Sequence, residues 1–338
     1  MNKHEVLKRV FGYDEFREGQ SALVDALLAG QDAFGIMPTG AGKSICYQVP
    51  ALMLSGITLV ISPLISLMKD QVAALNQAGV RAAFLNSSLT YRQYLKAIDN
   101  ARHGLYKIIY VAPERLSTDN FMDFALSANI SLITVDEAHC ISHWGQDFRP
   151  SYTAIADFVE RLEKRPIMSA FTATATEKVQ EDVIKQLRLK DPCLVKTGFD
   201  RKNLRFLVKN PKDKYKELRL FLREHSDESG VIYCITRKAV EAVCEQLKGD
   251  GFSVTRYHAG LSDEERMQNQ EDFIYDNKKI IVATNAFGMG IDKSNVRFVV
   301  HYNMPKDIES YYQEAGRAGR DGMPAECLLL YSGKDVIT

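Results

Sequence analysis

The 338-residue chain has no excess of either charge. Lysine plus arginine and aspartate plus glutamate number 43 each, so the net charge is near zero at pH 7. A protein that holds nucleic acid through bulk electrostatics carries a basic excess, so any such binding here has to use local grooves. The hydrophobic fraction of 46% is typical of a globular protein with an ample core.

The chain also lacks paired cysteines. Six are scattered without a C-x-x-C spacing: Cys46, Cys140, Cys193, Cys234, Cys244 and Cys327. A zinc site is therefore not expected, and the pattern favours free buried thiols in a reducing compartment, which predicts a cytoplasmic location. The first 18 residues mix charges with few apolar residues, so no signal peptide is expected either.

One long stretch, Ile45–Met68, has no charged residue. Pro50, Ser55–Gly56 and Ser62–Pro63 interrupt it, so a membrane span is not expected. The pattern favours a helix followed by a buried strand at Ile57–Ile61.

The segment that precedes this stretch, Met-Pro-Thr-Gly-Ala-Gly-Lys-Ser, is typical of a phosphate-binding loop. Its glycines permit a tight turn that aims backbone N–H groups at phosphate oxygens, its lysine supplies a cation for the β- and γ-phosphates, and its serine a hydroxyl for Mg²⁺. The predicted nucleotide-binding residues of the loop are Pro38, Thr39, Gly40, Ala41, Gly42, Lys43 and Ser44. Met37 stands where the strict pattern has glycine, so the loop alone leaves a chance match open.

An acidic pair follows the apolar run Leu132–Val135. A buried strand there would deliver Asp136 to the metal and Glu137 to an attacking water. Alone, such a pair is more often solvated. Together with a phosphate loop that also follows a strand, it predicts hydrolysis of a nucleoside triphosphate.

Short β-branched runs alternate with amphipathic stretches along the chain. The predicted strands are Ala33–Met37, Ile57–Ile61, Ala82–Leu85, Lys107–Val111, Leu132–Val135, Ile167–Phe171, Leu204–Val208, Val231–Cys234, Val254–Tyr257, Lys279–Val282, Val296–His301 and Cys327–Tyr331. Helices such as Lys178–Leu187 and Ala239–Leu247 make parallel β-α-β units the expectation. We predict two α/β domains, 1–203 and 204–338. The similar runs Lys107–Pro113 and Lys279–Asn285 indicate a loose internal duplication.

Three further groups of residues each have two interpretations. Arg317 and Arg320 form either an exposed basic turn or an arginine finger for the triphosphate, and the phosphate site favours the finger. The segment that contains Tyr13, Arg17 and Gln20 is either a surface turn, favoured from the sequence alone, or an adenine site. The region 140–152 holds the single tryptophan of the chain and is either a loop core or a base-stacking platform.

With these residues in view, the chain closely resembles the catalytic core of RecQ-family DNA helicases, within helicase superfamily two. The resemblance extends from Phe11 to Tyr331. Its motifs occur in the family's order, namely Phe11–Gln20, Met37–Ser44, Ile61–Leu67, Ala112–Leu116, Asp136–His139, Trp144–Arg149, Ser169–Thr176, Tyr257–Gly260, Ala283–Asp292 and Gln313–Arg320. The Asp-Glu-Ala-His sequence followed by a tryptophan-containing loop separates the chain from DEAD-box RNA helicases.

The resemblance implies two tandem RecA-like P-loop domains that use ATP and Mg²⁺ to move 3′-to-5′ on single-stranded DNA and to unwind tailed duplexes in repair and recombination, as a monomer without a membrane contact. By this resemblance, adenine would be bound by Tyr13, Arg17 and Gln20, the phosphates and the metal by Lys43, Ser44 and Asp136, and the ribose by Asp292. Glu137 would act as the base, and Arg320 as the arginine finger with the help of Arg317 and Gln313. DNA binding would be coupled to hydrolysis by Trp144, Phe148, Arg149 and Thr284.

Two departures from the family pattern keep alternatives open. Gln146 stands where the family usually has histidine, and a neutral amide cannot titrate. Thr338 precedes the zinc-binding and winged-helix regions typical of the family, so a DNA-stimulated ATPase with little unwinding is one alternative. An RNA helicase and a DNA clamp that closes on ATP without translocating are the others.

Overall fold

The computed structural model describes residues 1–145, 147–198, 201–285, 287 and 293–333. The chain divides into two units, Met1–Phe199 and Asp200–Thr338. Each unit is built on a parallel sheet flanked by helices.

In the described part of the first unit, seven strands form one sheet in the order β3-β4-β2-β5-β6-β1-β7, and every pairing is parallel. The strands are β1 Ala33–Ile36, β2 Ile57–Ile61, β3 Ala82–Leu85, β4 Ile108–Val111, β5 Ile130–Val135, β6 Ile167–Thr172 and β7 Cys193–Lys196. The helices are α1 Lys3–Phe11, α2 Gln20–Leu28, α3 Lys43–Met53, α4 Ile65–Gln77, α5 Tyr91–Arg102, α6 Asp119–Ser127, α7 Ala154–Arg161 and α8 Glu177–Gln186.

The described part of the second unit holds six strands in the order β10-β11-β9-β12-β13-β8, again all parallel. The strands are β8 Leu204–Lys209, β9 Ser229–Tyr233, β10 Val254–Tyr257, β11 Ile280–Ala283, β12 Val296–His301 and β13 Ala325–Leu330. The helices are α9 Lys214–Glu224, α10 Arg237–Gly249, α11 Asp263–Ile274 and α12 Ile308–Ala315.

Both sheets have one strand order. If the strands of each unit are numbered from its first, both read 3-4-2-5-6-1, and β7 is an addition at the edge of the first sheet. The similar runs Lys107–Pro113 and Lys279–Asn285 contain β4 and β11, which occupy the same place in their sheets. This shared topology supports the predicted duplication.

The sequence predicted each strand of both sheets to within a few residues, except β7. The central strands are buried on both faces, as β1 and β2 are, and they read as continuous apolar runs. β7 is a half-exposed edge strand of four residues, so its sequence carries little hydrophobic signal. The uncharged stretch forms most of α3, all of β2 and the start of α4. In the described parts of the chain, none of the helices is long and apolar enough to cross a membrane.

Candidate nucleotide-binding site and nucleic-acid loop

The phosphate loop connects β1 to α3 at the carboxyl edge of the first sheet. Gly40 and Gly42 have φ angles of 83° and 77°, which L side chains rarely adopt, so the glycines are needed for this turn. Lys43 is the first residue of α3 and Ser44 the second. The loop therefore ends where the free N–H groups of a helix favour an anion.

Gln20 and Arg17 hold this loop from outside. The Gln20 amide donates to the carbonyl oxygens of Ala41 and Gly42 at 3.0 and 3.1 Å, and its own oxygen accepts from the Arg17 N–H at 2.9 Å. The Arg17 guanidinium donates to the Gly40 carbonyl at 2.6 Å. A Cβ on Gly42 would come within 2.6 Å of the Gln20 amide nitrogen, so the side chain and the loop are tightly fitted.

The predicted adenine-binding residues are thus only partly brought together. Gln20 is buried and Arg17 is exposed, while half of the Tyr13 side chain is exposed on the turn after α1. Sequence reasoning assigned Gln20 to a base edge and missed its contacts with the loop. These contacts join residues 21 and 22 positions apart, so no local sequence pattern signals them.

The acidic pair lies at the end of β5, as predicted. Asp136 is buried, and one of its carboxylate oxygens accepts from the Glu137 backbone N–H at 3.0 Å. Glu137 has a φ of 47°, an unfavourable conformation for glutamate that costs about 1–3 kcal/mol. The Tyr152 hydroxyl donates to the Asp136 carbonyl at 2.9 Å and so stabilises the turn.

Burial, and after it the neighbouring Glu137 carboxylate, together raise the pKa of Asp136 to about 7 against the opposing effect of the Lys43 ammonium. The same interactions show that Lys43, Asp136 and Glu137 are assembled in one place, as the sequence predicted.

His139 links the acidic turn to β6. Its Nδ1 lies 2.9 Å from the Thr172 hydroxyl, which itself donates to the Thr174 carbonyl at 3.0 Å. Since the Thr172 hydrogen is used there, its oxygen accepts, and His139 carries its proton on Nδ1. The Glu137 carboxylate is 3.4 Å from the same nitrogen. Burial lowers the pKa of His139, so the neutral ring is favoured.

The tryptophan-containing loop starts from the same turn. Gly145 packs so closely on the His139 carbonyl that a Cβ would lie 2.3 Å from its oxygen. At the loop's far end, the Arg149 guanidinium forms an ion pair with Asp147 at 2.9 Å, and the Arg149 backbone N–H donates to the Cys140 carbonyl at 2.8 Å. Trp144 is 63% exposed, so it is not part of a loop core.

Phe148 is half-buried and packs against another side chain of this loop. Its ring lies 3.8 Å from the His143 ring, and the Arg149 guanidinium donates to the Pro63 carbonyl at 3.4 Å. Of the three residues predicted to contact DNA in this loop, Trp144 alone has most of its side chain in solvent. Gln146 lies outside the described residues.

In the second unit, Gln313 lies on α12, whereas Arg317 and Arg320 lie in the turns that follow this helix. Arg201 and Asn203 bind the carbonyls of this turn, including that of Gly319 at 2.7 and 2.9 Å.

The Tyr233 side chain provides a second contact for these turns. Burial is the main reason that the pKa of Tyr233 is raised to about 12, against the opposing charge of Arg317 and its hydrogen bond. Thr284 is buried at the end of β11, and Asp292 is outside the described residues.

Two family models match the chain. Residues 17–183 match DEAD/DEAH box helicase, and residues 213–322 match the helicase conserved C-terminal domain. The chain is 47% identical over 98% of its length to the ATP-dependent DNA helicase RecQ of Bacillus subtilis, and 48% identical over 98% to that of Haemophilus influenzae. The chain belongs to the RecQ helicase family. The resemblance inferred from the motifs is thereby confirmed.

This RecQ-family chain spans about half the length of those curated relatives, 56% and 53% respectively. Among solved structures it is similar to Saccharomyces cerevisiae Dbp5 bound to RNA and ADP BeF3, with a TM-score of 0.74 over 98% of this chain and 88% of that one at 19% identity. It is also similar to the helicase MrfA bound to DNA, with a TM-score of 0.80 over 98% of this chain and 51% of that one, again at 19% identity. These likenesses confirm the predicted fold of two RecA-like parallel-sheet domains.

The donor set of the RecQ-family site fits Mg²⁺. Carboxylate and hydroxyl oxygens are the ligands this ion prefers, and Asp136 and Ser44 supply one of each beside the phosphate loop. The raised pKa of Asp136 points the same way, because a bound dication would relieve the cost of its buried charge.

Replacing Asp136 by asparagine is expected to stabilise the nucleotide-free protein most at high pH. The pKa of Asp136 in the folded state, about 7, exceeds the usual 3.8. Its contribution to the free energy of unfolding therefore falls as the pH rises from about 4 to about 7. Asparagine has no such proton and keeps an oxygen for the Glu137 N–H. Without Mg²⁺ we expect the Asp136→Asn variant to melt about 2–6 °C above wild type near pH 8 and with a smaller gain near pH 5.

Thermal unfolding at several pH values measures this difference. Asp123→Asn, at an exposed position on α6, is the matched control and should follow wild type throughout. A gain that is the same at every pH, or a loss of stability at high pH, would contradict the electrostatic account of this carboxylate.

Proposed function

We propose that this chain hydrolyses ATP when single-stranded DNA is bound and uses the reaction to move 3′-to-5′ and open tailed duplexes. The observation that supports this most is the assembly of a phosphate loop, a cation and two carboxylates at one sheet edge, on the turn from which an exposed tryptophan loop starts. Its curated relatives from two bacteria are named ATP-dependent DNA helicases.

In this proposal each residue of the first unit has a separate task. The loop N–H groups and Lys43 bind the β- and γ-phosphates, and Ser44 and Asp136 hold Mg²⁺. When bound, Mg²⁺ would neutralise phosphate charge. Glu137 orients the attacking water and accepts its proton, because it is the less buried carboxylate of the pair. Gln20 and Arg17 bind adenine together with Tyr13, and their hydrogen bonds to the phosphate loop couple adenine binding to the position of that loop.

The second unit contributes cationic groups. We assign Arg320, with Arg317 and Gln313, to the charge that develops on the γ-phosphate, and Asp292 to the ribose. Arg201 and Asn203 hold the turn that carries the arginines through the Gly319 carbonyl.

Nucleic acid is proposed to contact the Trp144 loop, with Phe148 and Arg149 as its internal supports and Thr284 as a contact in the second unit. A base stacked on an exposed aromatic ring gains about 1–3 kcal/mol. Because Gly145 rests on the His139 carbonyl, movement of the loop would reach the turn that holds Glu137. We further propose a monomer in the cytoplasm, which suits the six free cysteines, with no zinc in this chain.

The test compares ATP hydrolysis with single-stranded DNA, with RNA of the same sequence and with neither. DNA is expected to stimulate hydrolysis and RNA to do so weakly, and Trp144→Ala should lose the DNA effect. Equal stimulation by RNA would favour the RNA-helicase alternative, and ATP binding without turnover would favour a clamp. Direction is read from tailed duplexes, of which the 3′-tailed form should be opened. Hydrolysis without any opening would leave a DNA-stimulated ATPase.

A further inference from the structure

The exposed Trp144 ring has a cation on one of its faces. The Lys178 ammonium lies 3.0 Å from the centre of the ring, a cation–π contact. Lys178 is the second residue of α8 and is itself exposed. With 63% of Trp144 in solvent, most of the residue remains accessible despite this contact.

Helix α8 holds the same loop at a second point, one turn further along. The Asp182 carboxylate accepts a hydrogen bond from the Ser142 hydroxyl at 2.7 Å, and the Ser142 oxygen accepts from the Trp144 backbone N–H at 3.1 Å. Residues four apart lie on one helix face. Lys178 therefore contacts the Trp144 ring, and Asp182 contacts the Trp144 backbone through Ser142, from the same face of α8.

We propose that Lys178 is a positioning residue for nucleic-acid binding, holding Trp144 by one face so that the other is presented to a base. The inference rests on the proposed function of the Trp144 loop. The bland alternative is a solvated lysine near an aromatic ring, but an ammonium centred over the ring and backed by the Asp182 anchor restricts the ring's rotamers. A ring fixed in advance loses less entropy when a base stacks on it.

The single tryptophan of the chain makes the test direct, because its fluorescence reports this ring alone. In the DNA-free protein, Lys178→Met should increase quenching by acrylamide, since one face of the ring is uncovered. Lys178→Arg keeps a cation and should resemble wild type. Lys185→Met is the matched control, because Lys185 is an exposed lysine on the same helix two turns away.

A titration with oligo-dT then measures the effect on binding. Lys178→Met should raise the DNA concentration for half-maximal quenching about threefold to tenfold, and that for half-maximal ATPase stimulation by the same factor. Such a change corresponds to a part of the free energy of stacking one base. The plateau rate should stay the same. The salt dependence of binding should also be unchanged, because a positioning residue releases no counterion from a phosphate. Lys178→Arg and Lys185→Met should bind as wild type does.

Three results would each overturn the inference. Acrylamide quenching equal to wild type would mean that Lys178 does not cover the ring. Tighter binding by Lys178→Met would mean that the lysine competes with the base. A shallower salt dependence would make it a phosphate contact instead. If DNA neither quenches wild-type fluorescence nor stimulates its ATPase, the proposed function fails as well, whereas acrylamide still reports the Lys178 contact separately.

Discussion

The Glu137→Gln variant is expected to bind ATP as wild type does and to lose its hydrolysis by about 10²–10⁴-fold. Glutamine has the shape of glutamate and an oxygen that can hold a water, but it cannot accept the proton of that water. The turn itself should survive, because its hydrogen bonds use the Glu137 backbone N–H and carbonyl. The loss should therefore appear in turnover and not in nucleotide affinity.

Two measurements separate these effects, namely equilibrium binding of ATP and single-turnover hydrolysis with saturating DNA. Glu163→Gln, an exposed carboxylate elsewhere in the first unit, is the matched control and should be as active as wild type. Hydrolysis above a tenth of the wild-type rate in Glu137→Gln would remove this residue from the role of base.

The Arg320→Ala variant is expected to keep near-normal nucleotide affinity and to lose turnover by something on the order of 10³. A guanidinium that acts on charge developing in the transition state contributes little to ground-state binding. The contacts of Arg201 and Asn203 with the Gly319 carbonyl do not involve the Arg320 side chain, so the turn should keep its structure.

The kcat and the ATP dissociation constant of this variant are the quantities to compare. Arg320→Lys should recover little, because an ammonium lacks the planar fork of donors. Arg223→Ala, at an exposed position in the last turn of α9, should behave as wild type. A normal kcat in Arg320→Ala would remove Arg320 from the role of arginine finger.

The strands, and the common sheet edge on which the phosphate loop and the acidic pair lie, could be predicted from the sequence because buried parallel strands are apolar throughout and the residues that follow them share one edge. Lys43, Asp136 and Glu137 are assembled as that reasoning required. The four-residue edge strand β7 was missed because its half-exposed side chains give no pattern.

Other features depend on packing that no local pattern encodes. The contacts of Gln20 with the phosphate loop join residues 21 and 22 positions apart. The Lys178 contact with Trp144 joins two elements separated by α7 and β6. The pKa of Asp136 likewise follows from its burial. The positions of Arg317 and Arg320 in turns beyond α12 depend on Arg201, more than a hundred residues earlier.

The account is tested most directly by the rate of ATP hydrolysis of the unmodified chain with and without single-stranded DNA. A phosphate site joined to a nucleic-acid loop predicts a low rate alone and a rate that rises with DNA to a plateau, with half-saturation at the DNA concentration that half-quenches Trp144. A rate that DNA does not change, in a protein that binds both ATP and DNA, would contradict the account.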